Sequence, residues 1–249
     1  MSIPEPSTDS VTAIVLAGGD ASDPLALSAG VRSKAHVPYR NRPLAGWVLE
    51  ALRASTKVDR IVYLGELPEG VPVPDRVLPA GKRFSDTVAL GFGAALALAP
   101  ASRLLICTAD LPWLSGEAVD AFIADAAADL NYPIITKELA LAQFPEQKRT
   151  WVTLQQGQFT GGNVALLSAE VVPALLQLVG RLFAARKNPL ALGSLFGLGT
   201  IVALLRGKAD LPVLEQRASE LLGYKVQAVM ARHASLGADV DKPEHLPRD

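Results

Sequence analysis

A short apolar strand that runs straight into two glycines sets the terms for the whole chain. Residues 11–16 (Val-Thr-Ala-Ile-Val-Leu) read as a buried strand, and Ala17-Gly18-Gly19 follows at once. A loop of small and polar residues through Val31 leads to Arg32-Ser33-Lys34, and Pro43 opens an amphipathic helix. Strand, glycine loop, lysine and helix are the parts of a phosphate-binding α/β start. Glycines let backbone N–H groups approach a ligand, and a lysine adds a full charge. The loop is not a Walker sequence, because no Gly-Lys-Ser/Thr follows, nor does it carry the Rossmann glycine spacing.

Composition narrows the class. At 249 residues, 49% hydrophobic and 20% charged, the chain can bury a core and is not a disordered protein. A net charge of −1 offers no electrostatic case for nucleic acid or an anionic membrane as a partner. The single cysteine, Cys107, rules out an intramolecular disulfide and suits a reducing cytoplasm. Residues 1–10 lack a basic-then-apolar pattern and are read as a loose tail ahead of a single domain over 11–249.

Strands are expected at 58–64, 75–79, 103–108, 132–136 and 224–230, with helices at 43–55, 85–98 and 115–127 between them. Residues 150–155 and 163–167 flank Gln156-Gly157-Gln158 as the two arms of a hairpin or its equivalent. Residues 169–223 are helical and apolar, and 242–246 form a terminal turn or helix. Within them 188–205 is uncharged between Arg186-Lys187 and Arg206. It reads as buried helices or a subunit interface, as in a homodimer, with membrane contact as the alternative. Alternating strands and helices imply an α/β, Rossmann-like, mostly parallel sheet with helices on both faces, plus a C-terminal helical elaboration. Ligands of such sheets bind beyond the carboxyl ends of the strands. That rim would collect the Gly18 loop, the Asp110 turn and Gly161-Gly162.

Asp110 ends the most apolar strand, where a carboxylate can hold Mg²⁺ together with substrate phosphates, or else bond its own turn amides. Asp239 and Asp241 fall on the same side of an extended segment and suit a shared cation; Asp241 also reads as a cap for Lys242-Pro243-Glu244. Thr160-Gly161-Gly162-Asn163 offers backbone approach and a side-chain amide, or is a plain turn. Lys137, Lys148 and Arg149 are candidates to clamp a second anion, or are ordinary solvated charges. His36, His233 and His245 lack zinc-ligand spacing, and Gly193-Ser194 is no nucleophile elbow.

Taken together, Leu16-Ala17-Gly18-Gly19, Lys34, Arg42-Pro43-Leu44, Ala109-Asp110-Leu111-Pro112 and Asp239-Val240-Asp241-Lys242-Pro243-Glu244 resemble the nucleotidyltransferases. The nearest branch is similar to the molybdenum-cofactor guanylyltransferase-like NTP transferases. The resemblance implies the nucleotide-diphospho-sugar transferase fold and an NTP bound by Leu16, Ala17, Gly18 and Gly19. It implies that Lys34 neutralises phosphate charge, that Asp110 binds Mg²⁺, and that Asp241, with Asp239, is the second metal carboxylate. Gly81 and Asp86 match where such enzymes contact the base. Arg32 is the nearby candidate for the arginine usual after the glycine loop. The expected activity is transfer of NMP from an NTP to a small phosphorylated acceptor, releasing pyrophosphate. A glycosyltransferase using Asp239-Val240-Asp241, or a nucleotide-binding protein without turnover, are the alternatives.

Overall fold

The apolar run at the start of the chain is covered on both faces. In the computed structural model, which describes residues 10–19, 22–100, 102–185 and 197–245, it forms β1 (Val11–Leu16). Val11, Ala13 and Val15 turn into one apolar layer, and Ile14 and Leu16 into the other. The one polar residue of the strand, Thr12, is buried and shares a 2.8 Å hydrogen bond with the Ser102 hydroxyl. β1 lies between two parallel neighbours, β4 (Val58–Leu64) and β6 (Arg103–Thr108). β5 (Arg76–Leu78) extends the parallel sheet beyond β4.

The far half of the sheet is mixed. β7 (Leu130–Thr136) runs parallel to β11 (Val226–Met230), but β10 (Val164–Leu167) enters antiparallel between β6 and β7. The hairpin expected around Gln156-Gly157-Gln158 joins β8 (Val152–Leu154) to β9 (Gly157–Gly161). The expectation that 163–167 forms its second arm is corrected. That segment is β10 and pairs with β6 and β7, because its buried Val164, Leu166 and Leu167 fit the sheet centre. The result is a mostly parallel, mixed α/β sheet with helices on both faces.

One layer holds α2 (Leu44–Ala54) and α4 (Gly116–Asp125), the latter capped by the Ser115 hydroxyl on Ala118 N–H. The other holds α3 (Phe84–Leu98) and α6 (Val172–Ala185), with α8 (Leu211–Leu222) packed beside them. Between these two elements of the elaboration lies α7 (Leu198–Leu205). Pro43 is the N-cap of α2 and pairs with Pro38 in a small ribbon of β2 (Pro38–Tyr39) and β3 (Arg42–Pro43). The ribbon turns through Arg40 and Asn41, both at positive φ. The loop between Gly19 and Arg32 is not all irregular. Asp23 caps α1 (Pro24–Ser28), and Leu25 fills a buried site beside Tyr39 and Leu44. α5 (Lys137–Gln143), capped by Thr136, is likewise additional to the elements expected. Most of the tail and 188–196 of the uncharged stretch lie outside the described residues.

Two glycines in α3 give a direct test of how closely that helix seats on the sheet. A Cβ on Gly91 would stand 2.7 Å from Ile14 Cγ2 and 3.3 Å from Leu64 Cδ2, whereas one on Gly93 would meet nothing within 4 Å. Gly93→Ala should gain up to about 1 kcal/mol from helix propensity. Gly91→Ala should lose roughly 1–3 kcal/mol through overpacking despite the same propensity. Urea denaturation of both variants checks this; the reverse order contradicts the packing.

Candidate active site

The carboxyl ends of the strands gather the chemistry. β1 and β6 are in register so that Leu16 faces Thr108, and the loops leaving them carry Gly18-Gly19 and Asp110 side by side. Ala109 N–H donates to Leu16 carbonyl at 3.1 Å, which ties the two exits together. Asp239 and Asp241 arrive from the far end of the sequence. Val240 N–H donates to the Asp110 carbonyl at 3.0 Å, and the chain before it rests on the β9–β10 crossing through Asn163 N–H to Leu236 carbonyl at 2.8 Å. That seat requires glycine on both sides: a Cβ on Gly237 would lie 2.9 Å from the Gly161 carbonyl, and one on Gly162 3.0 Å from the Leu236 carbonyl.

Carboxylate oxygens of Asp110, Asp239 and Asp241 thus lie within 4.8 Å of one another. Lys34, on a single 3₁₀ turn Lys34–His36, reaches into the group. Its Nζ pairs with Asp241 and lies 3.8 Å from Asp110 Oδ2 and 3.8 Å from Asp23 Oδ2. Asp23 has a second task, since its Oδ1 accepts from Leu25 N–H at 2.9 Å to cap α1. Asp23 was not among the residues singled out from the sequence; the Asp-Pro pair that marks a helix start was the available signal.

The electrostatics are unbalanced toward negative charge. Burial pushes the Asp110 carboxyl up, ahead of the opposing pull of the nearby Thr108 hydroxyl and Lys34. Burial, then the charges of Asp110 and Asp241, raise Asp239 to about 6. Asp241 is held low: burial opposes ionisation, but the Lys34 hydrogen bond and charge outweigh it. Lys34 is raised by the same partners against its own burial. Asp110 Oδ1 is buried with no hydrogen-bond partner among the described residues. A crowded all-oxygen donor set with an orphaned buried oxygen is one that a hard divalent cation fits. Cys107, on β6 three residues before Asp110, is no nucleophile, since burial pushes its thiol up to about 12.

Two clefts meet at these carboxylates. The first is lined by Leu16, Ala17, Gly18, Gly19 and Lys34, by Gly81, Lys82, Arg83, Phe84 and Thr87, and by Asp110. The second is lined by Gln147, Lys148, Arg149, Thr160, Gly161, Asn163, Asp239, Asp241 and His245. In it Arg149 donates to Gln147 Oε1 at 2.5 Å, while Arg149 Nε and Gln147 Nε2 are buried donors without partners among the described residues.

Several residues picked from the sequence stand elsewhere. Gly162 N–H is spent on the Pro133 carbonyl at 3.0 Å, and the residue is absent from the lining of the second cleft. Asp86 faces solvent paired with Arg83, and its Cβ lies where a side chain on Gly81 would go. Arg32 pairs with Glu66 and lines a separate hollow on the other side of the glycine loop, with His36 and Gly65. Lys137 bonds Gln158 at 2.8 Å and lies over the Trp151 ring, and it is absent from the lining of the cleft that holds Lys148 and Arg149.

Because Asp239 ionises at about 6 in the folded chain against 3.8 as its ordinary value, its charge costs stability. In metal-free protein Asp239 should therefore withdraw stability as pH rises from about 4 through about 6, the window between those two values. Asp239→Asn removes the penalty, so it should be more stable than the parent near pH 7, by on the order of 1–2 kcal/mol, with the gain vanishing near pH 4. Denaturant melts in chelator at the two pH values check this; a variant less stable near pH 7 contradicts it.

Comparison with known proteins fits this geometry. Residues 13–188 match the family model described as the MobA-like NTP transferase domain. A solved structure described as a hypothetical transferase from Thermus thermophilus is 40% identical, with a TM-score of 0.87 over 96% of this chain and 100% of that one. The 4-diphosphocytidyl-2C-methyl-D-erythritol synthase of Anaerococcus prevotii shares the fold at 11% identity and a TM-score of 0.56, over 98% of this chain and 96% of that one. A nucleotidyl transferase from Methanothermobacter thermautotrophicus does so at 16% identity and a TM-score of 0.52, over 93% and 92%. No curated protein matches the chain significantly. With a strand, glycine loop and lysine facing a carboxylate cluster, and most of the sheet inside the matched region, the chain belongs to the MobA-like NTP transferase domain family.

Proposed function

We propose that this protein transfers a nucleoside monophosphate from an NTP to a phosphate-bearing acceptor, with release of pyrophosphate. The observation that carries the reading is the position of the three carboxylates, with Asp110 lining the glycine-loop cleft and Asp239 and Asp241 lining the basic polar cleft. A nucleotide in the first cleft and an acceptor in the second would meet there. A glycosyltransferase reading would leave the glycine loop and Lys34 without a task.

Asp110, Asp239 and Asp241 would hold Mg²⁺, which when bound supplies charge neutralisation to the reacting phosphates. Gly18 and Gly19 would bring backbone close to the nucleotide, in a cleft that Lys82 and Arg83 also line. Lys34, which lines the same cleft, would set its ammonium against a phosphate oxygen. An acceptor phosphate oxygen attacks the α-phosphorus in line, the bond from that phosphorus to the bridging oxygen breaks, and pyrophosphate leaves with the electron pair. The acceptor is already anionic, so no side chain has to take a proton. Arg149, Lys148 and the Gln147 amide would hold the acceptor phosphate. Catalysis is then orientation plus electrostatic stabilisation.

Asp110→Ala should lower Mg²⁺-dependent pyrophosphate release by roughly 100-fold or more while leaving the circular-dichroism spectrum and melting cooperativity intact. The assay is a panel of the four NTPs against small phosphorylated acceptors. Full activity in that variant overturns the assignment.

A further inference from the structure

The helix α7 (Leu198–Leu205) is apolar along nearly its whole length. It carries no charged residue, and only part of its surface is used for packing. Ala203 and Leu204 close over Leu154, Phe159 and Ala209 against the β8–β9 hairpin. Val202 and Leu205 on the same helix are 43% and 83% exposed, and Val213 at the start of α8 is 54% exposed. A soluble surface does not ordinarily present a bare apolar helix face.

Charge identifies what covers that face. Between Glu170 and Asp210 the sequence contains no Asp or Glu, yet it contains Arg181, Arg186, Lys187, Arg206 and Lys208. Arg206 and Lys208, directly after α7, are exposed. A second copy of this chain meeting the face about a two-fold axis would bring the exposed Arg206 and Lys208 to the seam from both sides. An anionic lipid surface supplies both an apolar layer for Val202 and Leu205 and negative charge for the basic residues that border them. No described helix is long and apolar enough to cross a membrane, so the mode of contact that remains for α7 is to lie on the surface.

We propose that α7, with Arg206 and Lys208, docks the protein on the surface of an anionic phospholipid bilayer. The hairpin beneath α7 contributes Thr160 to the second cleft. Docking therefore holds the proposed acceptor cleft beside the membrane, although the docking itself does not depend on the proposed reaction.

The test is co-sedimentation of the full chain with vesicles of phosphatidylcholine alone and of phosphatidylcholine mixed with phosphatidylglycerol. Binding is expected to the mixed vesicles only, and to weaken as salt rises. The double variant Val202→Asp/Leu205→Glu, whose side chains are exposed in the parent, should lower partitioning by about tenfold or more with an unchanged melting temperature. Arg206→Glu/Lys208→Glu should do the same and flatten the salt dependence. Absence of binding to the mixed vesicles at low salt overturns the proposal, as does binding that both variants leave intact. A dimer in solution that Val202→Asp/Leu205→Glu dissolves, in a protein that ignores vesicles, also overturns it in favour of self-association. Because vesicle binding needs no NTP, loss of pyrophosphate release in Asp110→Ala and failure to dock are independent results.

Discussion

One ammonium group among four carboxylates governs the arrangement of this protein. Lys34 pairs with Asp241 and lies 3.8 Å from both Asp110 and Asp23, and Asp239 stands in the same cluster without a lysine of its own. The cluster is partly buried, where unpaired charge is costly. A raised Asp239 and a buried, unpartnered oxygen on Asp110 are the two marks of that shortage of positive charge. The neighbouring Arg149 contributes its field to Asp239 and Asp241 without closing an ion pair on them. A site with more negative charge than its own side chains can balance is prepared for a cation, and with it for the phosphates that a cation accompanies.

The fold exists to bring those residues together from three parts of the chain. Parallel pairing of β1 with β6 sets the glycine loop beside Asp110. Antiparallel β10, entering from the same rim, carries Gly161 to Asn163 across the end of β6, with Thr108 N–H on the Asn163 carbonyl. The 3₁₀ turn Ala234–Gly237 then seats on that crossing and delivers Val240 to the Asp110 carbonyl. Asp239 and Asp241 flank Val240, whose buried side chain anchors the segment, so both carboxylates share its position at the rim.

Much of this was legible because it rests on local patterns. An apolar run too short for a helix, ended by glycines or by Asp-Leu-Pro, identifies β1 and β6 and the rim on which their loops lie. What stayed hidden depends on partners distant in sequence. Nothing within 150–167 says that β8 pairs with β9 while β10 leaves for the sheet centre. Gly162 looks like a turn or ligand glycine, but close approach between two segments accounts for it, as it does for Gly237. Asp86 and Arg32 have suitable chemistry and spacing, yet each is held by a neighbour of opposite charge away from the carboxylate cluster. Asp23 was masked by a loop of unremarkable composition, although its place before Pro24 marks a helix start.

The decisive question for this site is where a divalent cation binds. Crystals grown with Mn²⁺ and an NTP analogue, measured at the manganese absorption edge, would locate it directly. The expected result is an anomalous peak bounded by Asp110, Asp239 and Asp241, with the nucleotide phosphates on the glycine-loop side and Lys34 drawn away from Asp241. A peak elsewhere, or a nucleotide bound with Lys34 still paired to Asp241 and no cation among the three carboxylates, contradicts this arrangement.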